Sequence, residues 1–345
     1  MRILTQADIE TILKTVLSQS FICYYNAALS LPCRGKVVLS IESLVRLAPS
    51  SEGADELAAS YQPPTANRFR HVGHACRAPW PTIIMEHITS KENKRIKQLK
   101  KLISSSAYRR EEGLFAAEGL RLCRDALISG ADITAAYFSE SFNSSDPEFV
   151  DKVSEARIPC FLLKDGIFSA ACDTKTPQGV LFVIKRLDKQ IDFDKIKNNG
   201  KVLALECIQD PVNLGTILRS AEALGVDAVV LTRDCCDIYS PKVARGSMGA
   251  VFRLPFMIVD SLPSFIGEFN GFGRSFAAVL DRDSLSLPDC DLTGAVLAAV
   301  GNEGSGLTDE TISACSHKLF IPMKGGAESL NVSAAASIIV WEMMK

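Results

Sequence analysis

The pattern of hydrophobic and polar positions changes character near residue 85. Before that point, apolar residues fall at helical spacing only from Gln6 to Leu17, and no sustained period follows. The pair Pro63-Pro64 and the irregular run from Arg68 to Pro81 are typical of a weakly ordered extension. We therefore predict that residues 1–84 are poorly ordered, and that translation starts either at Met1 or at Met85.

From Ser90 onward, short apolar runs alternate with amphipathic helices. Ser90 to Asn93 can cap a helix that places Ile96, Leu99 and Leu102 on one face. Strand-like runs are predicted at residues 114–117, 133–138, 159–163, 179–184, 202–205, 228–231, 276–280 and 295–300. Further helices are predicted at residues 118–128, 213–224 and 332–344.

This alternation predicts an α/β fold with a mainly parallel sheet that helices cover on both faces. The polar, lysine-rich segment 187–200 is predicted to be a linker. The expected organisation is an extension (1–84), a small α/β domain (85–186), the linker, and a second α/β domain (201–345).

Composition narrows the class of protein. The 345 residues are 47% apolar and 23% charged, which is ordinary for a globular protein, and no apolar run approaches the ~20 residues of a membrane span. Eleven cysteines show no repeated Cys-x-x-Cys frame, which is typical of reduced thiols. With no signal-peptide pattern at the start, a cytoplasmic protein without membrane contact is expected.

The formal net charge is −2, so any contact with nucleic acid must use a local patch. The predicted helix after Ser90 carries such a patch, with few acidic residues between its cations. Its candidate RNA-binding residues are Lys91, Lys94, Arg95, Lys97, Lys100, Lys101, Arg109 and Arg110. A run of this kind indicates either a solvated helix face or a face that contacts phosphates.

Three polar or glycine-rich segments follow predicted strands, where open α/β sheets bind their ligands. The first is Gln209 to Arg219, in which Asn213 is a good helix N-cap and Arg219 is a candidate phosphate or ribose contact. The second is Gly301 to Leu307, whose three glycines allow close approach of a ligand to the backbone. The third is Ile321 to Ser333, where Ser329, Asn331 and Ser333 can cap the last helix.

Metal chemistry is not expected. The run His71 to Cys76 matches no standard frame of metal ligands, and no second half follows it. His317 lies outside all three segments and is expected to be an ordinary surface or core histidine.

The order N-L-G-T-I-L-R, G-N-E-G-S-G-L and I-P-M…S-L-N-V-S before a C-terminal helix closely resembles the SpoU family of RNA ribose 2′-O-methyltransferases, of the SPOUT superfamily. The resemblance covers residues 201–345, including the segment from Ser240 to Gly249. Residues 88–185 resemble more weakly the ribosomal-protein-like substrate-binding domain that often precedes this domain, most clearly at Phe115 to Gly119. Val212 departs from the pattern, because relatives often have glycine there.

The resemblance implies a C-terminal trefoil knot that binds S-adenosylmethionine, and a homodimer in which both subunits contribute to each site. It implies that Gly301, Ile321 and Leu330 contact the cofactor. It also implies a polar catalytic side that faces the RNA. The catalytic residues so implied are Arg219, Asn213, Glu303, Ser329 and Asn331.

Two further points stay open. Arg219 acts either as a base or, because a guanidinium group is a very weak base, as an electrostatic stabiliser of the developing alkoxide. Ribosomal RNA is the preferred substrate and transfer RNA is the alternative. A non-catalytic RNA-binding protein is the rival from another class, and a small-molecule methyltransferase is a more distant alternative.

Overall fold

The computed structural model describes residues 85–187, 191–281, 283–326 and 328–345. The expectations for residues 1–84 lie outside these ranges. Within them, none of the helices combines the length and the apolar character needed to cross a bilayer.

The first sheet has five strands in the order β1-β4-β3-β5-β2. Strands β1, β4 and β3 run parallel, and β5 is antiparallel to both β3 and β2. The strands are β1 (Glu86–Ile88), β2 (Leu114–Glu118), β3 (Ile133–Ser139), β4 (Cys160–Leu163) and β5 (Val180–Lys185). The helices are α1 (Lys94–Ser104), α2 (Ser106–Glu112), α3 (Leu120–Ile128), α4 (Glu140–Ser145), α5 (Pro147–Glu155) and α6 (Asp165–Ala171).

The second sheet has seven strands in the order β10-β12-β9-β11-β6-β7-β8, and every pairing is parallel. The strands are β6 (Lys201–Leu205), β7 (Ala228–Thr232), β8 (Phe256–Val259), β9 (Arg274–Ala278), β10 (Leu285–Ser286), β11 (Val296–Val300) and β12 (His317–Phe320). The helices are α7 (Phe193–Asn199), α8 (Pro211–Leu224), α9 (Pro241–Gly246), α10 (Ala250–Arg253), α11 (Leu262–Phe269), α12 (Asp309–Ala314) and α13 (Val332–Met343). The expected mainly parallel α/β architecture is thereby confirmed.

The segment expected to be a polar linker is partly structured. Residues 193–199 form helix α7, in which Ile196 is buried, and Ile191 just before it is buried as well. The Phe193 ring lies 5.9 Å from the Phe265 ring of α11. These apolar side chains pack against the second sheet, although lysine and asparagine dominate the local composition.

The two sheets share one hydrophobic cluster. Phe115 of β2 lies 4.9 Å, between ring centroids, from Tyr239 and 6.2 Å from Phe252 of α10. The Tyr239 hydroxyl donates a hydrogen bond of 2.9 Å to the Leu187 carbonyl. Helices, loops and strands of both halves therefore exclude water together at this junction.

Candidate active site

The three segments predicted to carry chemistry meet at the carboxyl edge of the second sheet. Strand β6 leads to Gln209, β11 ends directly before Gly301, and β12 ends directly before Ile321. Because these strands are parallel, their carboxyl ends lie along one edge, where ligands bind in open α/β sheets.

The start of α8 differs from the prediction. Asp210 is the N-cap, since its side chain accepts a hydrogen bond of 2.8 Å from the Val212 amide, and Pro211 occupies the first turn. Asn213 therefore lies within the helix and is not its cap. Its side chain is buried and directed into a hydrogen-bonded network.

That network links all three segments through side chains. Asn213 Nδ2 donates to Glu303 Oε1 at 3.0 Å, and Asn331 Nδ2 donates to Asn213 Oδ1 at 3.0 Å. Asn331 Oδ1 in turn accepts hydrogen bonds from the Ser333 and Ala334 amides and caps α13. A single change at Asn213 would therefore leave partners on two other segments unpaired.

Glu303 also accepts hydrogen bonds from two backbone amides, those of Gln209 at 3.3 Å and Asp210 at 3.2 Å. Burial alone would raise the pKa of Glu303. The hydrogen bonds from Asn213 and from the amides of Glu303, Asp210 and Gln209 outweigh that effect and lower its pKa below the ordinary value. Glu303 is consequently held as a carboxylate beside the start of α8.

The loop from Gly301 to Leu307 folds back on itself. The Asn302 amide donates to the Gly306 carbonyl at 2.9 Å, and Asn302 Oδ1 accepts from the Gly304 amide at 2.8 Å. Asn302 Nδ2 reaches across to the Cys207 carbonyl at 2.8 Å. A Cβ atom on Gly301 would collide with the backbone of Gly306 and Leu307, so only glycine fits there.

The patterns of the sequence missed Glu206, which anchors the far end of this loop. Its buried carboxylate accepts 2.8 Å and 2.9 Å hydrogen bonds from the amide and hydroxyl of Thr308, and a 2.5 Å bond from the Thr311 hydroxyl. A glutamate directly after the apolar run Val202 to Leu205 was the available signal, because buried charge needs dedicated partners.

A cavity of about 420 Å³ lies beside the network, which is within the range of small-molecule sites. Gly301, Ile321 and Leu330, predicted to contact a cofactor, all line it, and Ser329 lines it too. Apolar side chains form much of the remaining wall, namely Val300, Leu307, Leu319, Val332 and Ile339.

The structure does not join Arg219 to this network. Its side chain is exposed on α8, and among the described residues it makes no hydrogen bond or ion pair. It lies on one exposed stripe of α8 with Thr216, three residues before it, and with Val212, four residues before Thr216.

The residues predicted to contact RNA, on and around α1 and α2, are largely exposed, but one of them is buried. Arg109 is buried: its guanidinium donates to the Leu102 and Ile103 carbonyls at 2.6 Å and 3.0 Å, and its Nε lies 2.7 Å from Asp237. The prediction that Arg109 lies on an RNA-binding surface is wrong, because these partners hold its charge inside the molecule.

The other cations differ in their local partners. Arg95 lies over the Phe161 ring at 4.4 Å, and Lys97 pairs with Glu92 at 2.5 Å. The remaining side chains are exposed, and they are those of Lys91, Lys94, Lys100, Lys101 and Arg110.

Two of the resembling motifs meet between the sheets. Arg245 of α9 donates to Asp173 at 2.5 Å and lies 3.8 Å from the buried Glu118 carboxylate at the end of β2. Glu118 also accepts hydrogen bonds from the Asp173 amide and the Thr174 hydroxyl.

Helices α8 and α9 approach closely at two glycines. A Cβ atom on Gly215 would lie 2.9 Å from the Gly246 Cα atom, closer than real side chains come. Both glycines belong to the motifs singled out in the sequence, and they set the position of α8, which carries Asn213.

These features define an α/β protein with a ligand cavity at the carboxyl edge of a parallel sheet. Residues 200–341 match the model of the SpoU rRNA Methylase family, and residues 93–181 match that of the MRM3-like substrate binding domain. The chain belongs to the SpoU rRNA methylase family, which confirms the resemblance found in its sequence.

Individual relatives match this chain over most of their own length. The 23S rRNA (guanosine(2553)-2′-O)-methyltransferase RlmP of Bacillus subtilis is 30% identical, over 75% of this chain and 99% of the relative. An uncharacterized tRNA/rRNA methyltransferase of Synechocystis is 31% identical, over 74% of this chain and 92% of the relative. The AdoMet-bound rRNA methyltransferase from Sinorhizobium meliloti superposes with a TM-score of 0.67 at 26% identity, over 75% of this chain and 97% of that one.

Proposed function

We propose that this protein transfers the methyl group of S-adenosylmethionine to a ribose 2′-hydroxyl of ribosomal RNA. The observation that carries the proposal is the cavity at the carboxyl edge of the second sheet, where all three motifs meet around the Glu303–Asn213–Asn331 network. The relatives named for this reaction and the relative solved with AdoMet support it.

The cavity suits that cofactor chemically. The backbone at Gly301 lies close to the cavity because no side chain intervenes, and Ile321 and Leu330 supply apolar wall for an adenine ring. S-adenosylmethionine supplies an electrophilic methyl group, so the protein must align the 2′-oxygen with it and ease loss of the hydroxyl proton. Ser329 and the Glu303–Asn213–Asn331 network form the polar side that would position the ribose.

We assign Arg219 the role of stabilising the developing alkoxide and holding a neighbouring phosphate. Its guanidinium is a poor base, and its planar fork suits a bidentate anion contact. Arg219→Ala should lower kcat by roughly 10²- to 10³-fold and leave the affinity for S-adenosylmethionine unchanged in calorimetry. Full activity in Arg219→Lys would contradict the requirement for a planar fork.

The position of Arg219 supports a homodimer with shared sites. Its exposed stripe on α8 adjoins α13, because the Ser337 and Ser220 hydroxyls of the two helices hydrogen-bond at 2.9 Å. Helix α13 exposes Ile338 at 39% and Trp341 at 56%, and Val212 of α8 is 63% exposed. Apolar surface next to an unpartnered catalytic arginine fits a second copy of this chain, which would enclose both.

Trp341→Glu tests the dimer. Buried carboxylates in the interface should shift the protein from dimer to monomer in sedimentation velocity and abolish activity together. Ile128→Glu is the matched control, since Ile128 is 84% exposed on α3 in the first domain, and it should leave the mass unchanged. A wild-type protein that sediments as a monomer at micromolar concentration would contradict the homodimer.

The basic face of α1 supports contact with RNA, and we propose that it holds the substrate through phosphates at Lys91, Lys94, Arg95, Lys97, Lys100 and Lys101. Residues 85–186 are the proposed substrate-binding domain, and residues 201–345 are the proposed catalytic domain. The trefoil knot and the cytoplasmic location are likewise proposed, from the family and from the sequence respectively.

One experiment tests the function as a whole. Tritiated S-adenosylmethionine and unmethylated 23S ribosomal RNA should give RNA-bound label, and mapping of 2′-O-methyl groups should find one new position. Label on transfer RNA alone would support the alternative substrate. Absence of S-adenosylmethionine binding in calorimetry would instead favour a non-catalytic RNA-binding protein.

A further inference from the structure

A second cleft, of about 570 Å³, opens between the two sheets on the far side of β7 from the active site. Three arginines from separate elements line it: Arg110 on α2, Arg186 just after β5, and Arg233 just after β7. We call this cavity, which the three arginines line, the arginine cleft. Nothing in the family resemblance assigns it a role.

The arginine cleft carries surplus positive charge. Asp237 is the one carboxylate among its lining residues, and the buried Arg109 already pairs with it at 2.7 Å. Arg233 forms an exposed ion pair with Asp260, whereas Arg110 has no ion pair or hydrogen-bond partner in the described ranges. Two guanidinium groups, those of Arg110 and Arg186, therefore have no carboxylate partner in the part of the chain that the structure describes.

Arg186 is held ready for an anion. Its guanidinium carbon lies 4.7 Å from the centre of the Tyr239 ring, which fixes the plane of the group. Its Nε atom is buried and has no hydrogen-bond acceptor among the described residues. A buried donor without a partner is costly, so a bound oxyanion would relieve it.

Two hydrogen bonds, one between backbone groups and one from a side chain, join the cleft to the active site. The Cys236 amide donates to the Ile208 carbonyl at 2.7 Å, and Gln209 Nε2 donates to the Asp234 carbonyl at 2.6 Å. Gln209 is the same residue whose amide binds Glu303. Because neighbouring strands are ~5 Å apart, the cleft beyond β7 lies on the order of 10 Å from the site beyond β6 and β11.

The thiol of Cys236, which lines the cleft, also shows that the cleft and the active site are close together. Burial raises its pKa to about 12, and the charges of Cys235, Glu303, Asp237 and Asp210 add to that shift. Glu303 and Asp210 belong to the active site, so its electrostatic field extends into the cleft.

We propose that the arginine cleft binds a phosphodiester of the substrate RNA close to the nucleotide that is methylated. Arg110 and Arg186 come from the first domain and Arg233 from the second, so one phosphate group would engage both. The inference rests on the proposed function, because it takes RNA as the substrate. The apolar floor at Phe256 and Met257 leaves room for a sugar or base beside the phosphate.

The test uses the double variant Arg110→Gln/Arg233→Gln in the full chain. Both side chains are exposed, so the variant should fold, and Arg186 stays in place on Tyr239. Binding of unmethylated 23S ribosomal RNA, measured by filter binding at several KCl concentrations, should weaken roughly tenfold. The slope of log K against log salt should fall in magnitude by ~0.7, the contribution of one phosphate contact on a single strand.

Arg121→Gln is the matched control, because Arg121 is an exposed arginine on α3, which packs on the opposite face of the first sheet from α1. It should leave the affinity and the slope unchanged. In methylation assays the double variant should raise the KM for RNA and keep both kcat and the affinity for S-adenosylmethionine.

Three outcomes would overturn the proposal. If the double variant has the wild-type slope and KM while the wild type methylates RNA, the cleft does not bind the substrate. If inorganic phosphate binds the wild type but not the double variant, while both bind RNA equally well, the cleft serves a free anion. If the wild type neither binds nor methylates RNA, the proposed function fails with it.

Discussion

At Gly301 the backbone leaves no space for even one additional carbon atom. Gly301→Ala would force the loop away from Gly306 and Leu307, at a cost of about 1–3 kcal/mol, and would distort the cavity wall. We expect at least a roughly tenfold loss of S-adenosylmethionine affinity in calorimetry, together with a lower Tm. Gly304→Ala is the control, since its Cβ would meet only Asn302 Oδ1 at an ordinary 3.5 Å. Wild-type binding in Gly301→Ala would refute the close contact.

Glu303 gives a prediction for pH. Its pKa is lower in the folded protein than in the unfolded chain, so its contribution to stability is present above the unfolded pKa of about 4.5 and is lost as the pH falls through the folded pKa. Glu303→Gln should therefore be less stable than the wild type at pH 7 and equal to it near the acid limit of folding. Urea unfolding from pH 7 down to pH 3 measures the difference. A gap that stays constant with pH would show that charge is not involved.

Individual site residues were predictable to different degrees. Asn331 caps α13 as its position suggested, and the cofactor residues expected at Gly301, Ile321 and Leu330 do line one cavity. The resemblance named Asn213, but sequence patterns could not show that it lies within α8 and bonds to Glu303, nor the role of Glu206. Their partners lie 90 or more positions away. Arg109 was misjudged for the same reason, since Asp237 is 128 positions distant.

Among elements, the crossing of α8 and α9 depends on two glycines in contact. Gly215→Ala would push the helices apart and move Asn213, at a cost of about 1–3 kcal/mol and with reduced activity. Gly267→Ala in α11 is the contrasting change, because nothing lies within 4 Å of its added carbon. That variant should gain about 0.5–1 kcal/mol from helix propensity alone. Guanidinium unfolding checks both signs, and equal effects would refute the packing argument.

Elements with many buried apolar positions were the predictable ones. Strands β6 and β11 are buried at every position and were found within one residue of their bounds. Strand β12 has only Leu319 buried, and β1 only Ile88, so neither shows a pattern. Helix α3 begins at Leu120 and not at Glu118, because Gly119 takes a φ of 104° and Glu118 ends β2.

On the scale of the whole molecule, Arg245 couples the two sheets electrostatically. Arg245→Ala leaves the buried Glu118 carboxylate without its nearest cation, and we expect a loss of about 2 kcal/mol in urea unfolding. Lys185→Ala removes a pair with Asp132 that is about 60% exposed on both sides, and should cost less than about 1 kcal/mol. If the two variants lose the same free energy of unfolding, the Arg245–Glu118 contact between the sheets stabilises the protein no more than a surface ion pair does.

The pairing of β6 with β11 at the centre of the second sheet has a consequence for how fast the protein forms. Val202 pairs with Leu297, 95 positions later, so the two strands that bear the catalytic edge must close a long loop before they gain any contact. Non-local parallel pairings of this kind slow folding by orders of magnitude relative to helical proteins. Refolding should therefore show an early phase from local pairs such as β6 with β7 and a slow one in which the binding cavity appears. Until that slow phase ends, the apolar faces of β6 and β11 are exposed, and the chain is at its most prone to aggregate.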